Sequence, residues 1–304
     1  MESAVQRPWW RRELPLIACW TAVVAWAAGP VFVADMSPSL PTIVMWRQLM
    51  WLPLLWSLAR LMGDGFTRRH LAVSWKPGVF FGLSVITGFW SYDHTTIANA
   101  TLLSSLTPAV LLFIAPRVLN EKVTLSRVLY SIVAFAGVSG VVLGAEASVA
   151  PGNAFFGDVL SLATMALWTF YFIAAKKARN EGVNTWSFLT GVCLVNCIIS
   201  VILAGVAADD VFAVTGRDWL LLLAMTLIPG TIGHYLMTWS SRYLDATVSS
   251  LITLAGPVLS AALAFVMLGQ TVAIIQVVAG LVVILGLAGV IMSARPRAPQ
   301  VHSS

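Results

Sequence analysis

PAVLLFIAPRVLNEKVTLSRVLYSIVAFAGVSGVVL, residues 108–143, and PVLSAALAFVMLGQTVAIIQVVAGLVVILGLAGVIM, residues 257–292, read as two copies of one pattern. Set 149 positions apart, they match Pro108 with Pro257, Ala115 with Ala264, Leu119 with Leu268, Val123 with Val272, Val128 with Val277, Gly137 with Gly286, Gly140 with Gly289 and Val141 with Val290, without a gap. Apolar sequence matches by chance more readily than mixed sequence. Here, however, the proline and both glycines keep their spacing, and those residues punctuate helices. The chain therefore reads as an internal duplication.

Further apolar segments lie around these stretches. Ten in all, at about 16–34, 42–62, 77–94, 97–115, 126–143, 156–175, 186–206, 219–240, 246–267 and 271–293, have the length of a bilayer crossing, which takes roughly 20 apolar residues. With 59% hydrophobic and 10% charged residues over 304 positions, the chain cannot hide its apolar surface in one soluble core; ordinary domains carry about a quarter charged residues. Lipid is the expected solvent. The expected fold class is an all-α membrane protein of ten transmembrane helices. Each half holds five spans, an odd number, so the second copy must enter the bilayer from the opposite face. The result is a 5+5 inverted-topology repeat, which recurs in secondary transporters because two similar bundles around one cavity can open it alternately to either side.

Charge placement points the same way. Of 18 Lys and Arg residues, 16 share one side if every span crosses: Arg7, Arg11 and Arg12; Arg60, Arg68, Arg69 and Lys76; Arg117, Lys122 and Arg127; Lys176, Lys177 and Arg179; Arg242; Arg295 and Arg297. Arg217 stands on the other side with Asp209, Asp210 and Asp218, and Arg47 lies within the second span. Cationic loops resist transfer, so both termini are expected in the cytoplasm. The first span is long enough to be retained rather than cleaved as a signal. The expected organisation is a cytoplasmic flank 1–15, a first repeat 16–143, an outer linker 144–155, a second repeat 156–293 and a cytoplasmic tail 294–304. The net charge of +5 is spread in ones, twos and threes between apolar spans, so topology accounts for it and no nucleic-acid partner is expected. Cys19, Cys193 and Cys197 fall inside predicted helices, and no disulfide framework, metal site or cofactor is indicated.

The stretch from Asn99 to Leu143, with Pro108, Asn120-Glu121 and Gly137-x-x-Gly140, resembles the end of an EamA-type repeat of the drug/metabolite transporter superfamily. The stretch from Ala246 to Met292, with Pro257, Gly269-Gln270 and Gly286-x-x-Gly289, resembles the second. The likeness covers about residues 16 to 293. It implies a ten-helix inverted-repeat carrier with a central cavity, usually exporting small metabolites, amino acids or toxic compounds across the bacterial inner membrane. The partners it implies are a small-molecule substrate and the lipid bilayer, with the chain acting as monomer or homodimer. Where the family commonly has Gly-Glu after the fourth helix of each repeat, this chain has Asn120-Glu121 and Gly269-Gln270. Gln270 carries no charge, whereas a capping role survives for either side chain.

An ionisable group inside a span costs roughly 2.5–3.5 kcal/mol on insertion scales, so it normally faces protein or a water-filled cavity. Arg47 lies one to two turns inside the second span and resembles an arginine often found there in the family. It either attracts a carboxylate or phosphate in the cavity, or snorkels outward or ties to Asp35. Trp26 and Trp168 open their repeats at similar depth, and Trp90 sits near the outer end of the third span. Such aromatics serve either as cavity walls for apolar or planar substrates or as an interfacial belt. His234 with Tyr235, just past Pro229-Gly230 in the eighth span, either meets substrate and protons or is a packing residue. Asn196 in the seventh span serves an interhelical hydrogen bond or the cavity lining. Pro108 and Pro257 are expected as matched kinks and possible hinges, and Pro229-Gly230 as a helix break.

Other function classes lack their motifs. There is no His-Glu-x-x-His, no Gly-x-Ser-x-Gly and no Walker-type loop, so neither an intramembrane enzyme nor a nucleotide-driven pump is expected. A channel or a receptor-like scaffold uses the same kind of spans, but inverted duplication favours alternating access over a static pore. Few carboxylates lie within the spans, which argues against obligatory proton coupling and keeps exchange and facilitated diffusion equally open.

Overall fold

Helices form at every expected span in a computed structural model that describes residues 9–92, 94–143, 153–208, 210–269 and 272–294. The first half comprises α1 (Trp9–Ala34), α2 (Leu40–Met62), α3 (Arg68–Tyr92), the pair α4 (Ile97–Ser104) and α5 (Thr107–Val118), and α6 (Leu125–Leu143). The second half begins with α7 (Ala154–Asn180) and α8 (Thr185–Ala207). Next come α9 (Gly216–Met225), a π-helix at Thr226–Gly233 and α10 (His234–Ser240). Then follow α11 (Ala246–Ile252), a 3-10 turn at Thr253–Ala255, α12 (Gly256–Leu268) and α13 (Ile274–Ala294).

Nine helical segments among the described residues are long and apolar enough to cross a membrane. The helix left out is α2, which has 23 residues but carries Arg47, Gln48 and the tryptophans Trp46, Trp51 and Trp56. Its polarity is turned inward rather than to lipid: Gln48 and Trp51 have no solvent exposure. Large apolar side chains such as Phe113, Leu125, Val206 and Ile274 are instead exposed, a surface that suits hydrocarbon and not water.

The loops gather at two ends. At one, Gly63 lies so close to Asn184 that an added Cβ would sit 2.9 Å from its Oδ1, and Arg127 pairs with Asp245 at 2.9 Å. Lys176 Nζ there donates to the carbonyls of Ser241 and Leu244 at 2.6 and 2.7 Å. This is the basic end. At the opposite end the Ser37 amide donates to Asp218 at 3.1 Å, Trp46 Nε1 to the Val211 carbonyl at 2.7 Å, and Thr95 Oγ1 to Asp158 at 2.7 Å. Local chemistry sets the helix starts at both: Asn184 caps α8 by accepting from Trp186 N, and Thr215 and Asp218 close a capping box on α9.

Two expectations need correction. Pro108 and Pro257 do not kink continuous helices. The chain breaks before each, through a turn between α4 and α5 and through the 3-10 turn before α12, so each proline stands in the first turn of a new helix. Its missing N–H costs nothing there. Pro229-Gly230 does the reverse: the helix does not break but widens into the π-helix.

The duplication is visible in the packing. A Cβ on Gly137 would lie 2.7 Å from Val283 N, and one on Gly286 would lie 2.6 Å from Ala134 N. Gly140 meets Ala279, and Gly289 meets Tyr130. As the residue number rises along α6 it falls along α13, so these helices run antiparallel. A shift of 149 turns Ala134 into Val283 and Gly137 into Gly286, and each contact has a mate with the roles exchanged, the signature of a two-fold relation. Asn120 and Gly269, another pair at that spacing, both adopt left-handed backbone, with φ of 55° and 66°. Those are the residue types that tolerate it at a helix C-terminus.

Candidate functional site

α1, α2, α3, α7 and the α9–π–α10 segment leave between them a cavity of about 720 Å³, within the usual size of small-molecule sites. Its inner wall is Trp26, Trp168 and His234, its flank carries Arg47, and it runs out past Val33 to Ala34 and Leu40 at the α1–α2 loop. Ala34 is exposed, so the cavity meets solvent at the end opposite the basic loops.

Backbone irregularities shape these walls. Pro30 sits inside α1, which removes the helical donor for the Trp26 carbonyl. In the facing π-helix, Pro229 lacks an N–H, and Thr231 Oγ1 donates to the carbonyl of Thr226, five residues back, at 2.8 Å. Gly233 lets the Trp26 indole lie directly on that backbone: a Cβ there would fall 2.6 Å from Trp26 Cδ1 and 2.7 Å from Nε1.

His234 is 5% exposed and enclosed by rings, with centroids 5.0 Å from Trp26, 5.3 Å from Trp51, 5.1 Å from Phe81 and 6.5 Å from Trp168. Trp26 and Trp168 themselves meet edge to face at 5.9 Å. Arg47 holds its guanidinium carbon 5.9 Å from the Trp51 ring centroid, a cation–π distance. Among the described residues it has no ion-pair partner. Asp35, the tie considered from sequence, pairs with Arg217 instead. Arg47 Nε and Trp26 Nε1, on the cavity wall, and Gln48 Nε2 and Trp51 Nε1 beside it are buried donors without an acceptor among the described residues. Each unmet donor costs about 1–3 kcal/mol, so this wall is built to receive acceptor oxygens from a ligand or water.

Behind Trp168 and Val85, which line both spaces, lies a second chamber of about 410 Å³. Both helix breaks face it through Ser104 and Thr253, residues 149 apart. Its hydroxyls at Ser84, Ser105 and Thr253 donate to carbonyls three or four residues back, leaving lone pairs free to accept, and Thr164 Oγ1 bonds both the Leu160 carbonyl and Thr87 Oγ1. Among the described residues, no three His, Cys, Asp or Glu side chains gather as a metal site would require.

Four of the residues singled out from sequence, Arg47, Trp26, Trp168 and His234, thus meet at one cavity, with Pro229 beside them. Three do not. Trp90 is 46% exposed on the outside of α3. Tyr235 stacks on Trp186 at 3.9 Å toward the basic end. Asn196 is buried against α3, its Oδ1 3.2 Å from where a Cβ on Gly82 would stand. Glu121 is 8% exposed and caps a helix, but in the other half: its carboxylate accepts from the backbone of Ala246 and Thr247 and from Thr247 Oγ1. Gln270 lies outside the described residues. Sequence reading passed over Trp51, Gly233 and the hydroxyl chamber. Trp51 was findable, since a residue four after Arg47 shares its helix face.

A profile of the EamA-like transporter family matches residues 14–143 and 155–292. A curated relative described as an uncharacterized transporter from Helicobacter pylori (strain ATCC 700392 / 26695) is 25% identical over 173 residues, 54% of this chain and 54% of the relative. The match thus spans about half the length of that relative. A solved structure described only as "Crystal structure of protein" superposes with a TM-score of 0.80 at 19% identity, covering 94% of this chain and 100% of that one, a likeness of fold alone.

Proposed function

The chain belongs to the EamA-like transporter family, and from that premise we propose that it is a secondary carrier for small organic compounds that join an anionic group to an apolar or aromatic body, such as amino acids and drug-like acids. It is a multi-pass membrane transporter. Ten transmembrane helices form two inverted repeats, about 16–143 and 156–293, in a bacterial inner membrane with both termini in the cytoplasm. The two halves rock around the cavity, export being the working direction. The antiparallel α6–α13 contact, with its exchanged pairs, supports the inversion, and the basic end supports the orientation.

One observation carries the substrate class: among the described residues the cavity is lined by one Lys or Arg, Arg47, whose Nε has no partner among them, set among Trp26, Trp168 and His234. A carboxylate or phosphate satisfies the guanidinium with two parallel hydrogen bonds, and the indoles take the apolar body. His234 adds a polar edge at the cavity floor.

The test is thermal unfolding of the purified protein against amino acids, aromatic and aliphatic carboxylates, and amines of matched size. A ligand bound only to the folded state at 100 times its Kd stabilises by about 2.7 kcal/mol. Carboxylates should raise the transition, amines should not, and Arg47→Ala should abolish the effect while leaving the unliganded transition within a few degrees. Stabilisation by amines alone, by nothing in the panel, or by carboxylates equally in Arg47→Ala counts against the assignment.

A further inference from the structure

The turn preceding α11 is closed by residues from the other half. Asp245 occupies the cap position of α11, yet its side chain makes no cap; it pairs with Arg127 Nη1 at 2.9 Å. The helix start is capped instead by Glu121, through Ala246 and Thr247. Arg127 also donates to the Lys122 carbonyl at 2.8 Å, and Lys176 holds the carbonyls of Ser241 and Leu244. Arg127 and Glu121 are 7% and 8% exposed and the Asp245 side chain 39%, so water screens the Glu121 cap poorly and the ion pair in part. The junction locks the loop after α5 onto the turn before α11, at the end away from the cavity mouth. Leu55, Phe188, Leu251 and Ile252 have no exposure and belong to one buried apolar cluster with Trp51 and Phe81, two of the residues whose rings surround His234.

A carrier of two inverted repeats has, at its other end, a junction made from the equivalent residues. A shift of 149 turns Glu121 into Gln270 and Arg127 into Gln276, and turns Asp245 back into Thr96. Every charge is lost. Gln276 accepts from Ala273 N near its own helix start and donates across the halves to the Val141 carbonyl at 3.4 Å, a neutral hydrogen bond in place of an ion pair. The Arg217–Asp35 pair at that end joins α1 to α9 and not the broken helices, and its arginine is 71% exposed, where an ion pair contributes little.

From this asymmetry we infer that Glu121, Arg127 and Asp245 form a one-sided ionic latch that biases the carrier toward the state open at the α1–α2 loop. In the mirror-image state the equivalent positions 96, 270 and 276 supply no ion pair, although Asp158 and Asp218 stand at that end as hydrogen-bond acceptors, so the two states differ by the latch. The inference rests on the alternating-access reading. Its test needs no substrate, so its failure is separable from failure of the substrate assignment.

Hydrogen–deuterium exchange on the protein in lipid nanodiscs reads both ends at once, in residues 246–252 and 97–104. Arg127→Gln or Asp245→Asn should speed exchange in 246–252 and slow it in 97–104, each by at least about fivefold, the low end of ordinary coupling energies. The swap of Arg127→Asp with Asp245→Arg should return both toward the parent. Installing charge at the other end, with Thr96→Asp, Gln270→Glu and Gln276→Arg in an otherwise intact chain, should shift exchange in the same sense as removing the latch. This second variant leaves the native junction in place, which covers the case in which Arg127→Gln does not fold. Faster exchange at both ends, change at one end only, or no response to the installed charges overturns the latch and leaves a merely structural tie.

Discussion

A methyl group added at Gly233 would lie 2.6 Å from Cδ1 of Trp26, closer than carbon atoms approach, so the indole can rest on the π-helix only because this position has no side chain. Gly233→Ala should push Trp26 off the cavity wall, and overpacking of this kind costs about 1–3 kcal/mol. We expect ligand-induced stabilisation to fall by about tenfold in apparent affinity, while Gly205→Ala, where nothing stands within 4 Å, leaves it unchanged. Equal affinities for the two variants would show that Trp26 takes no part in binding. The residues legible in the sequence were those whose chemistry is conspicuous in hydrocarbon: Arg47, His234, Trp26 and Trp168. Depth can be counted along a helix, but the face it presents is harder to fix. Tyr235 follows His234 yet points about 100° round the axis, onto Trp186 rather than into the cavity. Trp90 fails in the same way, on an exposed face of α3.

Between elements, α6 and α13 pack closely, because Gly137 and Gly286 let backbone meet backbone. Gly137→Leu places its Cβ 2.7 Å from Val283 N and must separate the helices. A loss of roughly 3 kcal/mol or more is expected, the upper range for overpacking, measured as a lower unfolding transition in detergent. An unshifted transition would mean that the halves are not held there. The number of helices and most of their ends follow from apolar length, with α1 and α3 starting earlier than expected, at Trp9 and Arg68, because a helix continues where its lipid-facing stretch stops. Breaks were harder to read. Proline marks both a kink inside a helix and the start of a new one, and only the turn before Pro108 and the 3-10 turn before Pro257 distinguish the cases. The exchange of Asn120 for Gly269, a departure from the family pattern in sequence, proves conservative in backbone terms, since both residues take the left-handed conformation.

At the scale of the molecule, the proposed account needs two halves threaded oppositely through lipid around one cavity. The duplicated stretch suggested this from sequence alone. A latch at one end could not be read there, because it depends on Glu121 and Arg127 meeting residues more than a hundred positions away. The most direct measurement is sided labelling of two equivalent positions, Lys122→Cys and Thr271→Cys, with a membrane-impermeant maleimide. The native Cys19, Cys193 and Cys197 are buried and give little background. The account predicts that Thr271→Cys reacts in intact cells and that Lys122→Cys reacts only after the membrane is permeabilised. Reaction of both from the same side would contradict it.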